Sequence, residues 1–291
     1  MQNVSRTPAG GGHEGAFGWS RDFLGNRFIY AVISQRAHGL SIGVNLNPAK
    51  FCNFDCVYCE VKRGEAVEET PVDLNVLSAE LTKTLDLAAR NQLRELPRFR
   101  TIPADLLRLK EVALSGDGEP TLSPNFDQAV EAVLRVRSQR SQFFKIVLIS
   151  NTAGLMLPHV QRGWRQLSGE DEIWLKLEAG TQKYMKRVNR PRGLTLQNVM
   201  ANILQIGRER PIVIQSLFPL LEGEEPDAAE IDAYVHRLQE LMAGGAQIAM
   251  VQVYSAHRPA QNPNCGHLPL GSLSAIARRV REQTRLRAEV Y

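Results

Sequence analysis

Three of the four cysteines fall within eight residues, where NLNPAKFCNFDCVYCEVKRG places Cys52, Cys56 and Cys59 in a CxxxCxxC pattern. Three thiolates on one short segment can hold three corners of an iron–sulfur cube, whereas a fully protein-ligated cluster or a closed structural zinc site needs a fourth ligand. No fourth cysteine lies nearby, because Cys265 is far downstream. A metal site short of one protein ligand can take an exogenous one, which is the property catalysis requires. Two plainer readings stand beside this one. They are a zinc knot completed by a distant histidine or by Cys265, and a thioredoxin-like redox pair of Cys56 and Cys59. The pair leaves Cys52 unexplained, and cysteines this close together cannot staple a chain of this length with disulfides.

The elements that must position these groups are legible as short apolar runs alternating with segments of helical period. Six runs of strand length are Leu40 to Leu46, Glu111 to Ser115, Lys145 to Ser150, Glu172 to Leu177, Ile212 to Phe218 and Gln247 to Tyr254. Between them lie helical faces. Leu74, Leu77, Leu81 and Leu85 form one behind a cap at Asp73, and Phe126, Val130, Val133 and Leu134 form another. Leu196, Val199, Ile203 and Ile206, then Ile231, Val235, Leu238 and Leu241, form two more. Strands alternating with helices predict a parallel α/β sheet, as an incomplete barrel of six βα units or as an open doubly wound sheet, with functional loops at the C-terminal strand ends. The cysteine loop follows the first of these strands.

The other strand ends carry further candidates. The second ends in Ser115, Gly116, Asp117, Gly118, Glu119 and Pro120, whose glycines permit close backbone approach to a ligand and whose Glu119 can accept from an ammonium group. A Gly-rich β turn is the plainer reading. The third ends in Ser150, Asn151 and Thr152, facing a ligand or capping a helix. The fourth carries Lys176 and Glu178, alternate residues on the same side of the chain, as ligand contacts or as a structural ion pair. Gln215 and Gln252 can line the same cavity. Cys265, beside His267 in a Pro-rich loop, reads as a free thiol.

CNFDCVYC resembles the signature of the radical S-adenosylmethionine superfamily, with Tyr58 at its aromatic position. The flanking SIGVNLNPAKFCNFDCVYCEVKRG and SGDGEPTL are similar to an uncharacterised bacterial group related to wyosine-synthesis type members. The resemblance covers residues 40 to about 255. It implies an incomplete (β/α)6 barrel, a [4Fe–4S] cluster on Cys52, Cys56 and Cys59, and S-adenosylmethionine on the remaining iron. Reductive cleavage to a 5′-deoxyadenosyl radical would then abstract hydrogen from a substrate. It further implies that the GGE-like motif, here with Asp117 and Gly118 in its first two positions, binds the methionyl amine. Lys176 and Glu178 would meet the ribose or carboxylate, so the expected cofactor set is Tyr58, Gly116, Asp117, Gly118, Glu119, Asn151, Lys176 and Glu178. A flavodoxin or ferredoxin is the implied electron donor, a lateral gap in the barrel is the implied entry, and a tRNA base is one admissible substrate.

The chain has 291 residues, 43% of them hydrophobic and 23% charged, which excludes disordered, collagenous and disulfide-scaffold classes. The formal charge of +4 names no partner. No apolar run approaches the length of a membrane span, and the N-terminus lacks a secretory stretch, so a cytoplasmic protein is expected. Glycine-rich residues 1–20 read as a flexible arm, and 21–291 as a single domain with its core at about 40–255 and a helical C-terminal extension. Lys183, Lys186, Arg187, Arg190 and Arg192 gather with Tyr184 after the fourth strand, and Arg278, Arg279, Arg281, Arg285 and Arg287 line the C-terminal stretch. These contact phosphates or form solvated faces. A non-catalytic iron–sulfur or zinc protein, serving as redox sensor or RNA-binding module, is the alternative from another class.

Overall fold

A computed structural model describes residues 22–63 and 69–291, so the expected arm at 1–20 lies outside the described residues. The strands are β1 (Ile29–Ser34), β2 (Gly39–Val44), β3 (Leu109–Leu114), β4 (Lys145–Ser150), β5 (Glu172–Lys176), β6 (Ile212–Leu217), β7 (Pro219–Leu221), β8 (Ile248–Tyr254), β9 (Cys265–His267) and β10 (Ala288–Val290). The helices are α1 (Leu74–Ala89), α2 (Phe126–Ser138), α3 (Pro158–Trp164), α4 (Gln182–Val188), α5 (Leu196–Glu209), α6 (Ala228–Ala243) and α7 (Leu270–Thr284). The main sheet runs β1-β2-β3-β4-β5-β6-β8-β10, parallel throughout except for β1, while β7 and β9 make a separate antiparallel ribbon.

The six expected strands are β2, β3, β4, β5, β6 and β8. Two edge strands were not expected. β1 joins β2 through a turn instead of a helix, so it falls outside the βα alternation, and β10 is only three residues long. Asp73 caps α1 as expected, its carboxylate accepting from Asn75 N at 3.0 Å and Val76 N at 3.1 Å.

Alternation along each strand separates two faces. On one, Ile42, Val44, Val112, Leu114, Ile146, Leu148, Ile173, Leu175, Ile212, Ile214, Val251 and Val253 pack into a single cluster with buried residues from all seven helices. The other bears Ala113, Val147, Trp174 and Val213, together with the polar Ser41, Glu111, Lys176 and Gln215. Helices on one face only give a barrel wall, where a doubly wound sheet would carry them on both. The turn between β1 and β2 shows how far the wall curls. Its Arg36 guanidinium lies 4.8 Å from the ring centroid of Tyr254 on β8, and His38 lies 6.1 Å from Tyr291 after β10. The fold is an incomplete α/β barrel, and this turn spans part of the lateral gap that the resemblance implied would stand open.

Candidate metal centre

The cysteine loop leaves the C-terminal end of β2 and is held by groups from four directions. Asn45 on its near side accepts Asp117 N at 3.1 Å and donates to the Asp117 carboxylate at 2.7 Å. Glu69 accepts Phe51 N at 3.0 Å. Residues 53–57 run beside the end of α4 and the chain that follows it, where Val57 N donates to Val188 O at 2.8 Å and Arg192 N to Asn53 O at 2.8 Å. Past the last cysteine, Arg258 pairs with Glu60 at 3.0 Å and Gln261 N donates to Cys59 O at 2.9 Å. Gly118 explains how closely the SGDGEP turn seats on this loop, since a Cβ there would stand 1.9 Å from Phe51 O.

Cys52, Cys56 and Cys59 line one cavity of about 490 Å³ within the barrel. Each sulfur is met by an N–H donor. Cys52 Sγ receives Phe54 N at 3.5 Å and Asn151 Nδ2 at 3.8 Å, Cys56 Sγ receives Asn189 Nδ2 at 3.7 Å, and Cys59 Sγ receives Arg63 Nη2 at 3.4 Å. Burial, followed by the nearby Glu119 charge, pushes the Cys52 thiol up, and burial pushes Cys56 up to about 12. Without a metal, Cys52 and Cys56 would remain protonated. Three soft sulfurs on one wall, each furnished with a donor that suits a thiolate, fit a cluster with three protein ligands. Cys265 lies in β9, paired with Leu221 and packed near Val57 and Leu221, off this wall. Among the described residues, no three His, Cys, Asp or Glu side chains are gathered tightly enough to hold a single metal ion.

Glu119 sits beside the cysteines, 3% exposed, its carboxylate accepting Ser150 Oγ at 2.6 Å, Thr121 Oγ1 at 2.6 Å and Asn151 N at 2.7 Å. Burial raises its pKa against the pull of these bonds. Gly116, Gly118, Glu119 and Asn151 are on the cavity wall, but Asp117 is not: its carboxylate turns away to Asn45. Asn151 also donates to Asn53 Oδ1 at 3.0 Å, tying the tip of β4 to the cysteine loop. The next residue, Thr152, adopts φ 76°, a strained conformation for a β-branched side chain.

Lys176 and Tyr58 line the cavity, with Lys176 Nζ 5.1 Å from the Tyr58 ring centroid. Glu178 does not. Its side chain, 1% exposed, lies behind Tyr58, accepts from the Tyr58 hydroxyl and from Asn189 Nδ2, and stands 3.8 Å from Lys176 Nζ. Burial opposes the Lys176 ammonium, but the charges of Glu178 and its neighbours hold its pKa above the ordinary lysine value. Burial likewise raises the Tyr58 hydroxyl, which stays protonated. Gln215 lines the cavity and donates to Gln252 at 3.3 Å, while Gln252 stays off the wall.

The sequence reading missed Asn45, Arg63 and Asn189. Asn189 was hidden in a run that reads as a basic patch, and only the chain's return beside the cysteine loop reveals it. That patch is itself partly neutralised. Arg187 pairs with Glu224 at 3.0 Å and Glu222 at 3.2 Å, and Arg190 approaches Asp55 at 4.0 Å. In the C-terminal stretch Arg279 pairs with Asp232, Arg287 with Glu289, and Arg281 donates to Ala288 O at 2.7 Å.

No protein-family model matches the chain. A UPF0026 protein of Helicobacter pylori is 25% identical over 235 residues, covering 80% of this chain and 67% of that protein. A UPF0026 protein of Synechocystis is 28% identical over 183 residues, covering 62% and 60%. The chain spans between about half and two thirds of the length of the curated relatives it matches. Among solved structures, SuiB of Streptococcus suis bound to S-adenosylmethionine superposes with a TM-score of 0.58 at 14% identity, covering 88% of this chain and 52% of that one. TYW1 with a lysine–pyruvate adduct bound gives 0.51 at 16%, covering 84% and 74%. A spore photoproduct lyase gives 0.52 at 11%, covering 91% and 79%. The likeness is one of fold: an incomplete α/β barrel. Among the described residues no helix is long and apolar enough to cross a membrane.

Proposed function

We propose that the chain is a radical SAM enzyme in which Cys52, Cys56 and Cys59 hold three irons of a [4Fe–4S] cluster and the adjoining wall receives S-adenosylmethionine. The observation that carries this reading is the convergence of three donor-matched thiols and Glu119 on one cavity at the C-terminal end of a parallel sheet. When bound, cluster and cofactor supply a one-electron cleavage to methionine and a 5′-deoxyadenosyl radical able to take hydrogen from a substrate.

The chain's own groups have definable tasks. Glu119 accepts a hydrogen bond from the methionyl ammonium, and Gly116 and Gly118 let the turn that carries it seat closely on Asn45 and the cysteine loop. The Lys176 ammonium, fixed by Glu178 and Tyr58, faces a carboxylate or ribose. Trp174, Tyr254 and Ile149 contribute apolar surface to the cavity that helps exclude water from the reacting centre. A low-potential flavodoxin or ferredoxin supplies the electron. A tRNA base remains the substrate the resemblance admits, with Arg187 and Arg190 of the basic patch already paired with carboxylates. Salt-dependent tRNA binding tests it.

The deciding experiment is anaerobic reconstitution, iron counting and a 5′-deoxyadenosine assay with S-adenosylmethionine and a strong reductant. About four irons per chain, with 5′-deoxyadenosine formed by the wild type and abolished in Cys56→Ala, is the expected result. One bound zinc without cleavage would establish the non-catalytic alternative.

A further inference from the structure

Arg63 stands just past the last cysteine, outside the CxxxCxxC pattern, and its guanidinium makes three contacts that belong to three different parts of the site. Nη1 donates to Lys50 O at 2.6 Å and to Asp117 O at 3.2 Å, and Nη2 donates to Cys59 Sγ at 3.4 Å. Lys50 and Arg63 flank the cysteine loop, so the first contact closes the loop on itself. The second ties it to the SGDGEP turn. The third places a full positive charge on a sulfur of the centre. Phe54 N, Asn151 Nδ2, Asn189 Nδ2 and the Tyr58 hydroxyl, which also donate to these sulfurs, are uncharged, and the Lys176 ammonium acts on them through its charge without a hydrogen bond between them.

We infer that Arg63 is a positioning residue that also sets the reduction potential of the centre. The assignment rests on the reading of Cys52, Cys56 and Cys59 as cluster ligands. Reduction adds one electron to the cluster, and a nearby cation with an N–H···S bond stabilises the added charge, moving the couple upward. A planar fork with several N–H donors is required to reach Lys50 O, Asp117 O and Cys59 Sγ together, a geometry that a lysine ammonium does not reproduce. Charge and clamp are therefore separable by substitution: Arg63→Lys retains the first and weakens the second, and Arg63→Gln removes the charge.

The test is an anaerobic redox titration of the reconstituted chain followed by electron paramagnetic resonance, with iron content measured alongside. At a fixed potential near the wild-type midpoint, the ratio of reduced to oxidised cluster is expected to fall about tenfold in Arg63→Gln, equivalent to about 59 mV for a one-electron couple. In Arg63→Lys it should fall by less than about threefold, corresponding to less than half that shift. In the metal-free chain, amide hydrogen exchange of residues 50–63 should quicken in Arg63→Gln, which reports the clamp without any cluster. A wild-type ratio in Arg63→Gln overturns the electrostatic assignment, as does equal loss of iron in both variants, which would leave a clamp alone. A wild-type chain that takes up no iron overturns the function proposed above and this assignment with it. Four irons with a midpoint indifferent to Arg63 overturns only this assignment.

Discussion

Glu119 is the residue on which cofactor recognition turns, and its surroundings make it intolerant of even an isosteric change. All of its partners, Ser150 Oγ, Thr121 Oγ1, Thr121 N and Asn151 N, donate to it. In Glu119→Gln one oxygen becomes an NH2 group that must face a donor, leaving a buried group unpaired at a cost of about 2 kcal/mol. The expected outcome is a urea midpoint lowered accordingly, together with S-adenosylmethionine binding weakened at least about tenfold through loss of a charged acceptor, read by equilibrium dialysis. Retained cofactor affinity would remove Glu119 from the role assigned to it. The cysteines themselves were readable from their spacing. The donors to their sulfurs were not, because Asn151, Asn189 and Arg63 are recruited from just past β4, from the chain after α4 and from beyond the motif.

The loops after β2 and β3 behave as one unit, and the glycine at their contact makes that testable. A methyl group at residue 118 would meet Phe51 O at 1.9 Å and Asn47 Cβ at 2.6 Å, so one of the two loops has to move. Gly118→Ala is expected to keep the far-ultraviolet circular dichroism of the wild type while losing most of its iron after reconstitution. A full iron complement in this variant would mean that the turn does not position the cysteine loop. The same local packing explains why Asp117, expected at the cofactor, is turned to Asn45. The glycines on either side of it lie against Asn45 and Asn47, and the aspartate completes that seam instead of the cavity wall. Glu178 departs from expectation for a related reason, since its carboxylate is taken up by the Tyr58 hydroxyl of the cysteine loop and by Asn189, leaving Lys176 alone on the cavity wall.

At the scale of the molecule, stability and chemistry sit at opposite ends of the sheet. Asp171 precedes β5 at its N-terminal end, with a side chain fully buried against Arg137 at 2.6 Å and accepting Ile146 N and Ser168 N, each at 2.8 Å. Burial pushes its carboxyl pKa up, but Arg137 and the backbone donors outweigh this and hold it below the ordinary aspartate value. A carboxyl whose folded pKa is depressed contributes stability that is fully present above its unfolded value, about 3.9, and is lost as pH falls through the lower folded value. Asp171→Asn should therefore lower stability by about 3 kcal/mol at pH 7, with the difference from wild type vanishing in strong acid. Iron uptake should be unchanged, because the cysteines lie at the other end. Loss of iron uptake in this variant would contradict that separation.

The sequence by itself determined the cysteine triad, the six inner strands and the apolar faces of the helices, because spacing and periodicity are local properties that burial enforces one element at a time. It did not determine the barrel's edges. β1 is recruited by a hairpin and β10 by three residues after α7, and the turn carrying Arg36 and His38 reaches the far edge only once the sheet has curled. Nor did it decide which polar groups face the cavity. Lys176 and Glu178 share a side of the chain and pair at 3.8 Å, yet only Lys176 lines the cavity, and Asn189 and Arg63 gain their roles from segments that meet only in the folded chain. Those placements depend on contacts between distant segments, whose geometry is set by packing of the whole and by no pattern within any one stretch.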